Sequence, residues 1–460
     1  MTALLWLRRD LRRGDLPALG AAHDAAEGSA VHVVFVVDPA LWSTAGVVRR
    51  AWLAANLRAA VASYDGRLSI RYGDPRTLVP SLAQEVGASS VHVSGEPFPY
   101  GRARDAAVER ALGERGVAWV ETGSPYAVTP GRVRKGDGSP YQVFTPFSRA
   151  WREHGWPYPA QSPAESPEGL HLAPVDDDGR ASAILDKALR EGPGNRPEAG
   201  EQAAKKRWKA FLDRDLGDYD SGRDRPDHAG TSRLSPYLKV GAIHPRTLLA
   251  DLASQRSQSA HTYVTELGWR EFYADVLWHR PESAWRDLRQ DLSRLSYDES
   301  PSDLDAWREG RTGYPLVDAG MRQLLAIGWM HNRVRMVTAS FFVKDLHAWW
   351  PVGAQHFLDH LIDGDVASNS HGWQWTAGTG TDAAPYFRVF NPVTQGKKFD
   401  PQGDYVRQWV PELAHLPGNA AHEPWRHDAG YRHDYPRRIV DHAEERREAL
   451  ARYASATRQE

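Results

Sequence analysis

The strongest constraint on the fold of this chain lies near its start, where short apolar runs alternate with amphipathic stretches. Residues 4–7 (LLWL), 31–37 (VHVVFVV), 68–72 (LSIRY), 90–93 (SVHV) and 118–120 (WV after Ala118) are rich in strand-favouring side chains. Between them, residues 16–26, 47–62, 76–86 and 102–115 carry helical periodicity. Alternation at this spacing implies an α/β unit with a doubly wound parallel sheet, because parallel neighbours need a long crossover. Ligands of such sheets sit beyond the carboxyl ends of the strands. Arg8, Arg9, Asp10 and Arg12 follow the first strand, either at such an edge or in a surface turn of mixed charge. No G-x-G-x-x-G follows that strand, so the dinucleotide fingerprint is absent.

Order drops after residue 130. Residues 157–197 are dominated by proline and acids (PYPAQSPAESPEG, then PVDDDG), which reads as a long connection. Beyond it, helical patterns prevail at 203–212, 237–240, 245–254, 260–278, 314–328, 332–349 and 439–453. The expected organisation is an α/β unit over 1–130, a connection over 131–200 and a large all-α unit over 201–460, roomy enough to enclose a cofactor. A length of 460 residues suits two or three domains. Mean hydropathy of -0.57 argues for a soluble protein. The opening ALLWLRRDLR reads as a folded beginning and not as a signal peptide, and a cytoplasmic location is expected. With no cysteine, disulfides, thiolate nucleophiles and cysteine metal sites are excluded. The net charge of -2 means that any basic surface must be local.

Four stretches carry candidate chemistry. Thr231-Ser232-Arg233-Leu234-Ser235-Pro236 brings hydroxyls and a cation to the entrance of a helical run, which suits a diphosphate or ordinary helix capping. Glu266 and Arg270 are four apart on one helical face, as a surface ion pair or as groups aimed into a cavity beside Trp269. His331-Asn332-Arg333-Val334-Arg335-Met336 places Asn332, Arg335 and Met336 within one turn, and the Asn332 amide matches the edge of an amide-like heterocycle. His331 fits a core or solvated histidine better than a base. Residues 361–396 (LIDGDVASNSHGWQWTAGTGTDAAPYFRVFNPVTQG) show poor periodicity and read as irregular backbone around something flat and polar, with Tyr386 and Phe387 expected to be buried. Most of the 18 tryptophans are expected in the core.

TSRLSPYLKVGAIHPR, ELGWREFYADVLWHRP, WREGRTGYPLVDAGMRQLLAIGWMHNRVRMVTASFFVKDL and the 361–396 stretch resemble, in order, the photolyase/cryptochrome family. The resemblance is closest to class I cyclobutane pyrimidine dimer photolyases and covers almost the whole chain. It implies light-driven repair of pyrimidine dimers in UV-damaged DNA, with FAD (as FADH⁻) giving an electron to a flipped-out dimer whose ring then splits. Tyr219 and Thr231, Ser232, Arg233, Leu234 and Ser235 would hold the FAD diphosphate and ribityl. Tyr263, where relatives carry Trp, would stack, and Arg270 would support the cofactor from its helix. Asp363 would pair with Arg335 near the isoalloxazine, Asp365 would bond a polar flavin edge and Asn369 would face N5. Glu266 and Asn332 would hydrogen-bond the dimer, with a neutral Glu266 stabilising developing charge. Trp269, Trp375 and Met336 would form an apolar wedge against it. Arg223 and Arg333 would meet phosphates, with Arg225, Lys397 and Lys398 adding local basicity, and Gln395 would meet DNA near the lesion. Trp373, Trp350 and Trp307 would pass electrons to the flavin, with Trp373 innermost and Trp307 outermost. Arg12, Asp38, Arg49 and Glu96 would hold a second, antenna chromophore of the 8-hydroxy-5-deazaflavin type or, alternatively, 5,10-methenyltetrahydrofolate. The resemblance further implies a monomer with neither metal nor membrane. Its rivals are a (6-4) photolyase, which carries histidines where Asn332 and Met336 stand, a cryptochrome-type blue-light receptor, and an electron-transfer flavoprotein without the DNA-facing set.

Overall fold

The computed structural model describes residues 1–163, 169–175, 179–292, 294–382, 385 and 388–457. Tyr386 and Phe387 lie outside the described residues. The chain forms two compact units: Met1–Gly217 with Ser232–Pro281, and Asp218–Thr231 with Glu282–Glu460.

The first unit contains the parallel sheet. Strands β1 (Ala3–Leu7), β2 (Val31–Val37), β3 (Leu68–Tyr72), β4 (Ser90–Val93) and β5 (Ala118–Glu121) lie in the order β3-β2-β1-β4-β5. Every pairing is parallel, with Leu5 opposite Val33 and His92. All five residues of β1 are buried, as a central strand covered on both faces requires. Helices α1 (Pro17–Ala25), α2 (Pro39–Thr44), α3 (Val47–Ser63), α4 (Pro75–Glu85) and α5 (Pro99–Gly113) make the crossovers. Four of them open with proline, whose fixed φ and missing N–H suit the first helical position. Asp38 and Asp74 cap two of these helices through the amides of Ala40 and Arg76, each at 2.9 Å. Pro75 and Pro99 precede the start of the periodic pattern by one and three residues, which is why α4 and α5 begin earlier than it predicts.

The proline-rich connection is more structured than expected. It holds α6 (Phe144–His154) and α7 (Arg180–Glu191), and α7 packs on α3. His171 and Ala173 hydrogen-bond Val31 at the start of β2. Then come α8 (Glu201–Arg214), α10 (Ser235–Val240), α11 (Pro245–Leu252) and α12 (Gln258–His279). Gly241 ends α10 at φ +70, and a Cβ there would stand 1.9 Å from the Arg9 carbonyl oxygen, so only glycine lets α10 meet the loop after β1.

The second unit is helical: α9 (Tyr219–Gly222), α13 (Pro301–Glu309), α14 (Pro315–Ile327), α15 (Asn332–Lys344), α16 (Trp350–His360), α17 (Val366–Ala377), α18 (Pro392–Phe399), α19 (Asp404–Trp409) and α20 (His442–Thr457). Its core gathers Trp307, Trp350 and Trp373 with Phe341, Phe342 and Phe357. Here the structure corrects the sequence reading: much of 361–396 is helix, not irregular backbone. On α17 the buried residues Ala367, Ser370, His371, Trp373, Gln374, Thr376 and Ala377 point in many directions. A helix buried on most sides has no amphipathic stripe for periodicity to reveal. Among the described residues, no helix is long and apolar enough to cross a membrane.

Candidate functional site

In the first unit, α12 carries two different faces. Tyr263 is buried against Trp208 and Phe211, with ring centroids 5.3 and 5.2 Å away. Its hydroxyl shares a 2.9 Å hydrogen bond with Ser232 Oγ, and burial pushes the phenol well above its usual range. Ser232 also accepts from the Leu234 amide at 3.3 Å, and Arg207 Nε donates to its carbonyl at 2.6 Å. The segment is therefore pinned, with Arg233 at φ +50 and exposed. The residue capping α10 is Leu234, without a side-chain cap, so the hydroxyls do not serve as ordinary N-caps.

Further along α12, Trp269 stacks flat on Phe144, at 3.7 Å and 9°. Glu266 is half-buried, not enclosed. Arg270 lies 4.2 Å from the Tyr126 ring, donates to the Pro125 carbonyl at 3.2 Å and pairs with Glu271 at 3.6 Å. Two acids that the sequence reading passed over hold the loop near residues 124–131 to this helix. Glu271 accepts from the amides of Ala127 and Val128, both at 3.0 Å, and Asp275 from that of Gly131 at 2.6 Å. Burial raises Glu271 to about 7 and Asp275 to about 6. Their signal was present: both carboxylates fall on the apolar stripe with Gly268 and Phe272.

The residues expected for an antenna are mostly employed within the first unit. Arg12 is buried, with its guanidinium bonded to the carbonyls of Asp15 (2.7 Å) and Gly241 (3.1 Å), so it holds the fold together and does not line a cleft. Asp38 accepts from Tyr100 Oη at 2.5 Å, and Glu96 pairs with Arg9 at 3.3 Å. Arg49 is half-buried on α3. At the point where the strand order reverses, Arg8 is satisfied by Asp105 at 2.5 Å.

In the second unit, Arg335 on α15 donates to Asp363 at 2.8 Å and to the Met330 carbonyl at 2.8 Å. The Asp363 side chain is 2% exposed and that of Arg335 25%, so the expected pair exists, with its carboxylate buried and its guanidinium partly exposed. Asp365 caps α17 through the Ser368 amide at 3.1 Å. Asn369 donates from Nδ2 to the Ala354 carbonyl at 3.0 Å, which fixes the amide and turns its oxygen elsewhere. On α15, Asn332 is exposed and Met336, one turn on, is half-buried. His331 is buried and caps α15, its Nδ1 accepting from the Arg333 amide at 3.2 Å, a structural task. Tyr219 is buried with Arg223 5.8 Å from its ring, Thr231 is half-buried, and Gln395 sits half-buried on α18. Three residues of the expected basic surface have acidic partners: Arg333, expected at a phosphate, with Asp224 at 2.8 Å, Arg225 with Asp227, and Lys397 with Glu423. Lys398 lies 5.0 Å from the Phe399 ring.

Trp373 is 2% exposed while Trp375 is half-buried, so two neighbours on α17 face different surroundings. The expected order of tryptophans needs correction. Trp307 is fully buried and lies 6.1 Å from Trp373, so it is not a surface terminus. Trp350 is also buried, and its Nε1 donates to Asp287 at 2.7 Å. Nothing in the sequence pattern marked Asp287.

Residues 3–168 match the DNA photolyase family, and residues 263–455 match the FAD binding domain of DNA photolyase. The deoxyribodipyrimidine photo-lyase of Escherichia coli is 39% identical over 99% of both chains. The chain belongs to the DNA photolyase/cryptochrome family. Among solved members of that family, a bacterial class III photolyase from Agrobacterium tumefaciens superposes with a TM-score of 0.89 at 35% identity, over 100% of this chain and 98% of that one. A cryptochrome from Synechocystis sp. PCC6803 superposes at 0.87 and 26% identity, over 98% of each. As a photolyase-family protein, the chain pairs an α/β unit with a helical FAD-binding region.

Proposed function

We propose that this chain is a deoxyribodipyrimidine photo-lyase, a carbon–carbon lyase that uses light and FAD to split cyclobutane pyrimidine dimers in DNA. Light-dependent photolyase activity with FAD-based chemistry follows from full-length membership of the family. The observation that carries the cyclobutane-dimer reading is one turn of α15. It presents Asn332 to solvent and half-exposes Met336, where (6-4) enzymes would carry histidines, and its Arg335 is held by Asp363.

The residues fit FAD. Arg335 is held by the buried Asp363 at 2.8 Å, which offers a fixed cation–carboxylate pair for a polar cofactor edge. Asn369, its Nδ2 taken by the Ala354 carbonyl, would offer its amide oxygen to the flavin near N5, and Asp365 would bond another polar edge. Ser232, with Tyr219, Thr231, Arg233, Leu234 and Ser235, would receive the diphosphate and ribityl, and the Tyr263 ring and Arg270 would support the cofactor. When bound and reduced, FAD supplies the electron that weakens the two ring bonds of the dimer.

The protein's task is then positioning and electrostatics. Asn332 and Glu266 hold the dimer's carbonyl and N–H edges, and a donor at those oxygens stabilises charge arriving on the pyrimidine. Trp269, made rigid by Phe144, forms an apolar wedge with Trp375 and Met336 that replaces the stacking lost when the lesion leaves the duplex. Arg223, Arg333 and Gln395 meet the strand. Since Arg333 already has Asp224, its contact with phosphate is an exchange of partners, which weakens its salt-dependent contribution. Trp373, with Trp350 and Trp307, feeds electrons inward. We place the protein with the class I enzymes on the order and content of its motifs, and propose a monomer. For the antenna we propose an 8-hydroxy-5-deazaflavin type, with methenyltetrahydrofolate as the alternative, near Asp38, Arg49 and Glu96.

The test is repair of thymine dimers under blue light by purified, photoreduced protein, alongside Glu266→Ala. Loss of repair with retained FAD supports the assignment. No repair by FAD-loaded, reduced wild type overturns it, and loss of FAD in the variant makes Glu266 structural. The absorbance of the pure protein identifies the antenna.

A further inference from the structure

On α12, residues Ala260, His261 and Val264 form one stripe, continued by the N-cap Ser257 and about opposite Tyr263, Glu266 and Arg270 at 100° per residue. Further along the same stripe, Gly268 meets Phe144 and Trp151, and Glu271 and Asp275 take the loop amides. The beginning of the stripe is not covered in this way. It forms one wall of a half-open cavity of about 510 Å³, bounded also by α11 and by the segment following α6. That volume suits a small organic ligand.

The lining has a definite chemistry. Arg152, Arg246, Arg256 and His261 contribute to it, and no Asp or Glu does. Arg246 is neutralised by Asp15 at 2.7 Å. Arg152 is half-buried, its guanidinium is held by Thr265 Oγ1 at 3.0 Å, and burial disfavours its charge. Among the described residues no carboxylate pairs with Arg152 or Arg256. An anion placed here would meet two uncompensated guanidinium groups, one already partly desolvated.

The same wall offers flat surfaces. Trp156 is half-buried and anchored on the fully buried Trp151, 4.6 Å away at 32°. Two residues on, Tyr158 is 87% exposed between Pro157 and Pro159. The prolines fix their own φ angles and restrict the residues before them, so this aromatic stands out from a stiffened backbone.

We propose that this cavity is a second ligand site, which takes a planar heteroaromatic anion of mononucleotide size. Its ring stacks on Trp156 and Tyr158, and its phosphate lies against Arg152 and Arg256. The ligand chemistry is that of a base with a phosphate, whether in a free nucleotide or at a 5′-phosphorylated strand end. Because the site occupies the opposite side of α12, it does not depend on the dimer-splitting assignment.

The experiment is isothermal titration calorimetry of the FAD-loaded protein with AMP, FMN and a 5′-phosphorylated oligothymidine. At least one should bind with 1:1 stoichiometry and a Kd at or below about 1 mM. Binding of AMP or FMN assigns the site to free nucleotides; binding of the oligothymidine alone assigns it to strand ends. Tyr158→Ala and Arg256→Glu should each weaken that binding about tenfold, from lost stacking and reversed charge. Both side chains are exposed, so FAD absorbance and melting temperature should stay at wild-type values. The proposal is overturned if none of the three probes saturates, or if the binding seen is unchanged in both variants.

Discussion

Gly353→Ala sets two effects of similar size against each other. Gly353 is inside α16, where alanine should add about 1 kcal/mol of helix propensity. A Cβ there, however, would stand 2.3 Å from Trp373 Cη2 and 2.7 Å from Cζ3. A relaxed carbon contact needs about 3.5 Å, so the indole must retreat by about 1 Å. It has nowhere to go: Phe357, Phe342 and Trp307 surround it at centroid distances of 5.0, 5.6 and 6.1 Å, and its exposure is 2%. Overpacking of this kind costs about 1–3 kcal/mol, so the net effect should be a loss of up to about 2 kcal/mol. Urea unfolding followed by tryptophan fluorescence measures it, with the midpoint falling and the native emission changing. Photoreduction should slow as well, since Trp373 has moved. Gly20→Ala is the reference: it lies in α1 and its Cβ would meet nothing within 4 Å, so about 0.5–1 kcal/mol should be gained. If Gly353→Ala gains as much as Gly20→Ala, with unchanged emission, the packing argument around Trp373 is wrong.

Asp287→Asn keeps an acceptor for Trp350 Nε1 but removes the charge that would stabilise an oxidised indole. Photoreduction should slow, while chemically reduced protein repairs at the wild-type rate; equal photoreduction traces in flash spectroscopy would remove Asp287 from the relay. Phe144→Ala takes away the plate under Trp269 at a cost of about 3 kcal/mol, and should weaken affinity for dimer-containing DNA in a filter-binding assay more than it lowers FAD content. Glu271→Gln tests the raised carboxyl. With its folded value at about 7, against 4.5 for the ordinary group, the folded state keeps a proton that the unfolded chain has released. Wild-type stability relative to the variant should therefore fall as pH rises through that window, by on the order of 1–3 kcal/mol. A relative stability that rises with pH would show that Glu271 is held as a carboxylate. The comparison must be with the variant because His244, lowered to about 3 by burial, gives wild type the opposite slope over part of the same range.

The five strands were legible in the sequence to within a residue because their signals are local. An apolar run of four to seven residues ended by a turn needs no distant partner to be read, and parallel pairing follows from the helices between. Legibility failed where burial is complete. In α17 the tryptophans, asparagine and glycine obscure the period, and only packing against α15 and α16 makes the segment a helix. The ranking of tryptophans failed for a related reason: spacing along a chain says nothing about depth, so fully buried Trp307 was expected outermost. The same holds for charge. Arg333, Arg225 and Lys397 read as free cations until the fold brings Asp224, Asp227 and Glu423 to them.

The sequence by itself determined the fold class, through local alternation, and the family, through a run of contiguous motifs; the Arg335–Asp363 pair was expected only because that family resemblance implies it. Only the tertiary structure decided which face of α12 is open, that Glu271 and Asp275 clamp a loop, and that Trp350 rests on Asp287. Those depend on contacts between residues far apart in the chain, which burial selects and local propensity does not encode.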